Sequence, residues 1–165
     1  MSTNYAGFWL RFVAYIIDAV LIYVVQSFVF IPLFAMFGFS FAAQMGNPEA
    51  MTEAEAIGMI GPLMGMMGAT IILGIVISIA YWSIMEASRL QATVGKLALG
   101  LIVTDAHGNR LNVGQAIVRN LSKILSSMIL CIGYIMAGFT DKKQGLHDMI
   151  ANTLVVKKAS AIAGV

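Results

Sequence analysis

Asp18 is the residue whose chemistry most needs explaining. It lies about two helical turns into an apolar stretch, Phe12 to Phe39, with Arg11 at its mouth. A carboxylate at such a depth in a bilayer costs roughly 2.5 to 3.5 kcal/mol on insertion scales, so it needs a partner or a use. It either stays protonated or meets a cation. The cations on offer are Arg119 and Lys123, and Arg11 if that side chain bends inward. Two chemistries follow. Asp18 is either half of a buried ion pair holding two membrane segments together, or a carboxylate that binds a proton or a cation. Arg11 and Asp18 are seven residues apart, about 20° from one face and roughly 10 Å along a helix axis. Helical side chains lean toward the N-terminus, so Arg11 reads as an interface anchor extended toward the headgroups.

The elements that must position these charges follow from composition and hydropathy. Of 165 residues, 59% are hydrophobic and 11% charged, with a mean hydropathy of +0.87. Soluble domains carry about a quarter charged residues, so the chain reads as one small integral membrane domain, residues 1–158 with a flexible tail at 159–165. The single cysteine, Cys131, excludes an internal disulfide and reads as a buried, inert thiol. No basic n-region precedes Arg11 and the apolar run is too long for a signal peptide, so it is expected to be a retained span.

The expected architecture is α-helical. Spans run from about 12 to 39 and 62 to 85, each exceeding the roughly 20 residues needed to cross the hydrocarbon core. Either tilt or a break at Pro32 accommodates the length of the first. Between them, Ser40 to Gly61 reads as a loop with a turn at Gly46-Asn47-Pro48 and only acidic charges, Glu49, Glu53 and Glu55. In the second span Gly61, Gly65 and Ala69, and likewise Thr70, Gly74 and Ser78, form small-residue ladders. These favour close helix pairing, with the first span or with a second copy.

After Glu86 the chain turns polar. Leu101 to Thr104 reads as a strand before a turn at Asp105 to Asn109, a short helix is expected at Leu146 to Ala151, and Thr153 to Val156 reads as a second strand. The segment 117–139 is ambiguous. Arg119, Asn120 and Lys123 occupy its start, and Ile124 to Phe139 offers only roughly 24 Å of helix against a core of about 30 Å. Two arrangements stand: three full spans, or two spans and a broken or re-entrant segment turning near Gly133. The acidic loop against later basic residues places the N-terminus in the cytoplasm. With a hairpin, Lys142, Lys143, Lys157 and Lys158 stay inside and the two strands can pair into a cytoplasmic module, 88–112 with 140–158.

Several residue patterns are similar to one family. They are Tyr5-Ala-Gly-Phe-Trp-Leu-Arg11 through Asp18, Ala92-Thr-Val-Gly95-Lys96, Gly100 to Asp105, Ala116-Ile-Val-Arg119-Asn120 and Lys143-Gln144-Gly145-Leu146-His147-Asp148 to Thr153. Together they resemble the RDD family of small bacterial membrane proteins, with Asn152 standing where glycine is more often expected. The resemblance implies that the family's arginine and two aspartates fall on Arg11, Asp18 and Asp148. It also implies a bacterial cytoplasmic membrane and a transporter of unidentified ligand, with sodium/proton antiport for some members.

On that reading Asp18 would exchange a sodium ion for a proton, with Asp148 as a second such group or as a cap for the short helix. His147 is a proton relay if buried, but reads as surface-exposed. An oligomer is expected, because two spans enclose no pathway, and the partners are lipid and a monovalent cation or proton. The alternative function is a non-transporting scaffold or accessory subunit whose cytoplasmic module engages another protein. Met59, Met64, Met66 and Met67 read as packing rather than a copper site, since no Cys or His accompanies them. Leu97 follows Gly95-Lys96 where a phosphate loop needs Ser or Thr. No catalytic triad or metal-ligand spacing occurs, so enzyme activity, cofactors, metals and nucleic acid are not expected.

Overall fold

The computed structural model describes residues 4–45, 52–128 and 132–158. Two helices dominate it, α1 (Phe8–Met45) and α2 (Glu53–Ala87). Both are long and apolar enough to cross a membrane, over Phe8–Ala43 and Glu53–Ala87. Pro32 does not break α1, which continues through it. The expected loop shrinks accordingly: Ser40 to Met45 belongs to α1 and Glu53 to Gly61 to α2, while Gly46-Asn47-Pro48 and Glu49 lie outside the described residues. The start of α2 is set by a capping box. Thr52 Oγ1 accepts from the Glu55 N–H (3.3 Å), and Glu55 Oε2 accepts from the Thr52 N–H (2.8 Å).

The chain divides into two units, Leu21–Ile77 and Met1–Val20 with Ser78–Val165. Within the first, the Gln26 side-chain amide donates to the Gly74 carbonyl (2.9 Å), and a Cβ at Gly74 would sit 3.7 Å from the Phe30 ring. Of the small-residue ladders, Gly74 therefore meets α1 side chains. A Cβ at Gly61 or Gly65 would meet nothing within 4 Å.

The second unit holds every remaining element: α3 (Val94–Ala98), β1 (Leu101–Asp105), α4 (Val113–Met128), α5 (Ile132–Ile135), a 3-10 turn at Met136–Gly138, α6 (Leu146–Ile150) and β2 (Thr153–Lys157). The strands pair antiparallel, Ile102 opposite Val156 and Val103 opposite Val155. Tyr5 bridges to Val156, and Ala6 N–H donates to the Val155 carbonyl (2.9 Å), so the N-terminus extends the pair. Leu101, Val103, Val155, Ala6 and Ala14 form a small core beneath it. The Asp105 carboxylate closes the turn after β1 by accepting from the backbone N–H groups of His107 and Asn109, both at 2.8 Å.

Ile124 to Phe139 is not one continuous helix. α4 ends at Met128, and α5 packs back on it, with the Tyr134 hydroxyl donating to the Lys123 carbonyl (3.1 Å). Cys131 lies outside the described residues, as does the tail 159–165. α4 is amphipathic in the inverted sense. Arg119, Asn120 and Ser126 are buried, while Val113, Ile117, Val118, Leu121, Ile124 and Leu125 are exposed.

The glycine expected at position 152 has a structural reason. Asn152 has φ +52°, in the left-handed region that glycine enters freely and asparagine tolerates, at the turn between α6 and β2. Asn152→Gly is expected to leave thermal stability within about 0.5 kcal/mol, whereas Asn152→Val should cost roughly 1 to 2 kcal/mol. Melting of the purified protein in detergent checks both.

Candidate functional site

A chain of alternating charges runs through the second unit. The Lys96 ammonium pairs with Glu86, Glu86 with Arg119, Arg119 with Asp148, and Asp148 with Arg11. These five residues come from α3, α2, α4, α6 and α1. Arg119 is the bridge: its Nη1 lies 2.7 Å from Glu86 Oε1, and its Nε and Nη2 lie 2.9 and 2.8 Å from Asp148 Oδ1. Glu86 and Asp148 are both fully buried. Arg11 is not extended toward headgroups. It donates to the carbonyls of Ala6 (2.8 Å) and Lys143 (2.6 Å) as well as pairing with Asp148. Its first-turn position in α1 lets it close over α6 and the residues before it.

Asp18 stands apart from this chain. Among the described residues it makes no ion pair, so neither Arg119, Lys123 nor Arg11 serves as its counter-ion. Its Oδ1 accepts from the Tyr81 hydroxyl (3.0 Å) and the Gly95 N–H (2.7 Å), and its Oδ2 accepts from the Thr93 hydroxyl. Hydrogen bonds to a charged acceptor contribute about 1.5 to 3 kcal/mol each, enough together to offset a costly burial. The close approach depends on Gly95. A Cβ there would lie 2.1 Å from the Ala14 carbonyl oxygen, which fixes α3 directly against the α1 backbone.

Asp148 serves both as cap and as charge partner. Its Oδ2 accepts from the Gly145 N–H (3.1 Å) at the start of α6 while the carboxylate holds Arg11 and Arg119. Burial alone would raise this carboxyl, but Arg119 and then Arg11 hold it well below the usual carboxylate range. His147 is not on the surface. It is 4% exposed, packs against the Tyr134 ring and places Nε2 3.4 Å from Asp148 Oδ1. Burial pushes its imidazole down to about 3, against the pull of Asp148. Lys96 is likewise lowered by burial, with Glu86 opposing. Lys123 donates to Asn120 Oδ1 (2.6 Å), lies 3.8 Å from Glu86 and sits 4.9 Å above the Trp82 ring.

The residues missed from sequence are Glu86, Tyr81 and Thr93. Glu86 read as a boundary marker, because a charge ending an apolar span is usually solvated. Its only usable signal was the later cluster of Lys96, Arg119 and Lys123, a surplus of cations without a nearby carboxylate. Beside the charge chain lies a cavity of about 340 Å³. Arg11, Asp18, Lys96, Arg119, Lys123 and His147 contribute its polar lining, and aromatic side chains form much of the remainder.

A long, apolar helical pair joined to a charge-latched strand and helix unit defines a class of small membrane protein. The RDD family model matches residues 5–152, and the chain belongs to that family. It is 41% identical over 153 residues to the uncharacterized protein YxaI of Bacillus subtilis, covering 93% of this chain and 97% of that one. It is 27% identical over 157 residues to the uncharacterized membrane protein YteJ of the same organism, covering 94% and 83%. A proline-rich antigen of Mycobacterium leprae shares 28% identity over 108 residues, 66% of this chain and 41% of the antigen. No solved structure matches the chain.

Two outcomes test the site. Arg119→Leu leaves Glu86 and Asp148 buried without their shared cation and is expected to cost about 3 to 5 kcal/mol, read as lost thermal stability. Acid should also destabilise the fold. His147 takes up its proton more readily unfolded (ordinary value 6.5) than folded (about 3), so stability falls as pH drops through that window. The lowered Asp148 adds a loss below its ordinary value of 3.8. His147→Phe should flatten the dependence of melting temperature on pH between about 6.5 and 4.

Proposed function

We propose that the chain is a membrane scaffold or accessory subunit in which two helical spans anchor a charge-latched module on the cytoplasmic face. The observation that carries this reading is that the three carboxylates able to couple ions are already committed. Asp18 is held by three donors, and Asp148 and Glu86 are held by cations from other elements. Sodium/proton exchange at Asp18 would require Tyr81, Thr93 and Gly95 to release it on every cycle.

On this reading α4 lies at the membrane with its exposed apolar stripe toward lipid and its charged face inward. That is the opposite of what water would select for a surface helix. The chain doubles back after α4 and returns the lysine-bearing tail to the cytoplasm, in keeping with the positive-inside rule. The paired strands, α3 and α6 then present a small rigid surface to a protein partner.

Reconstituted protein under an imposed sodium gradient is expected to move no protons beyond the leak of protein-free vesicles. Asp18→Asn should lower thermal stability by about 1 to 3 kcal/mol through its lost charge-assisted hydrogen bonds. Sodium-coupled proton flux that disappears in Asp18→Asn while the melting temperature holds would restore the transporter reading.

A further inference from the structure

The cavity of the second unit has a charge imbalance that the ion-pair chain does not resolve. Arg11, Lys96, Arg119 and Lys123 all line it. Among the described residues two carboxylates, Glu86 and Asp148, lie within ion-pair distance of these cations, and neither contributes to the cavity wall. Asp18 lines the cavity but already accepts hydrogen bonds at both oxygens. The four cations that line the cavity outnumber the carboxylates that pair with them. Lys123 has the most distant carboxylate of the four, at 3.8 Å, and among the described residues its ammonium otherwise meets only the neutral Asn120 amide oxygen and the Trp82 ring.

The walls say what else the occupant must be. Phe8, Phe12, Tyr15, Trp82, Tyr134 and Ile135 make the lining largely apolar, with the four cationic residues among them. Phe12, Tyr15 and Ile135 are at the same time 43%, 52% and 45% exposed, so the cavity opens onto the outer apolar surface. It lies beside the first turns of α1, where Trp9 and Tyr15 are exposed. Aromatic residues at the end of an apolar helix mark the headgroup level of a bilayer. His147 also lines the cavity, and its buried Nδ1 has no hydrogen-bond partner among the described residues. With Nε2 facing Asp148, Nδ1 is an acceptor, which a hydroxyl beside an anionic group would satisfy.

We propose that this cavity binds an anionic phosphate carried on an apolar body, the headgroup of an acidic phospholipid, with Lys123 as its principal ionic contact. The phosphate pairs with the cationic residues, a headgroup hydroxyl meets His147, and the acyl chains leave past Phe12 and Ile135. Bound there, the lipid supplies the missing negative charge and couples the latched module to membrane composition.

The test uses the full chain in nanodiscs of phosphatidylcholine, into which phosphatidylglycerol is titrated, with melting midpoint and native mass spectrometry as readouts. Binding to the folded state should raise the midpoint and leave a retained phosphatidylglycerol on the protein. Lys123→Met should weaken apparent affinity roughly tenfold or more, as expected for a hydrogen bond to a charged group. Ser127→Phe enters the same cavity from an exposed position on α4, outside the charge chain, and should abolish retention. Lys142→Gln with Lys158→Gln, both exposed, should bind as wild type. Inorganic phosphate in phosphatidylcholine nanodiscs separates the sources of the anion. A midpoint shift by phosphate alone that Lys123→Met removes would keep the anion site and assign it to a soluble ligand. No shift with either anion, or wild-type affinity in both Lys123→Met and Ser127→Phe, would overturn the proposal.

Discussion

Arg119 reaches two buried carboxylates at once, and the second unit depends on that contact. Its guanidinium spans Glu86 at the end of α2 and Asp148 at the start of α6, and through them reaches Lys96 in α3 and Arg11 in α1. Five elements are thereby joined. A planar group with five donors can do this, whereas an ammonium offers only a point charge. Hydrophobic burial could not substitute easily, because in lipid an apolar side chain gains nothing by leaving the protein surface for its interior.

Asp18 solves a separate problem by a different route. Its partners are neutral, two hydroxyls and a backbone amide, and all three approach because Gly95 lets α3 rest against the α1 backbone. The charge chain gathers the elements, and the Asp18 cage sets the distance between α1 and α3. Both use the N-terminal part of α1, which supplies Arg11 to one and Asp18 to the other. Beside them lies a cavity whose lining includes Arg11, Lys96, Arg119 and Lys123.

Much of this was legible in the chain. The two long helices follow from hydropathy alone, because 20 or more apolar residues have few alternatives. The strand pair followed from two β-branched runs that neither could stabilise singly. The departure from the family pattern at position 152 was visible, but the positive φ that explains it came only with the structure. The helix boundaries around residues 40–61 were misplaced, since Glu53 and Glu55 looked like loop charges although Thr52 and Glu55 form a capping box. Reading Arg11 as a headgroup anchor and His147 as exposed failed for a common reason. Neither judgment could include contacts distant in sequence: Asp148 and the Lys143 carbonyl hold Arg11, and Tyr134 packs on the buried His147.

The sequence by itself determined that this is a membrane protein of the RDD family, that its charges are few, and that each buried one must be compensated. Composition sets the solvent, and the solvent sets the cost of an unpaired charge. Which charge compensates which was decided only in three dimensions. Asp18, seven residues from Arg11, pairs with no arginine, while Arg11 pairs with Asp148 at the far end of the chain. Pairing of charges in a low-dielectric interior is governed by distances of a few ångströms, and those distances are fixed by how α1, α3, α4 and α6 pack rather than by spacing along the chain.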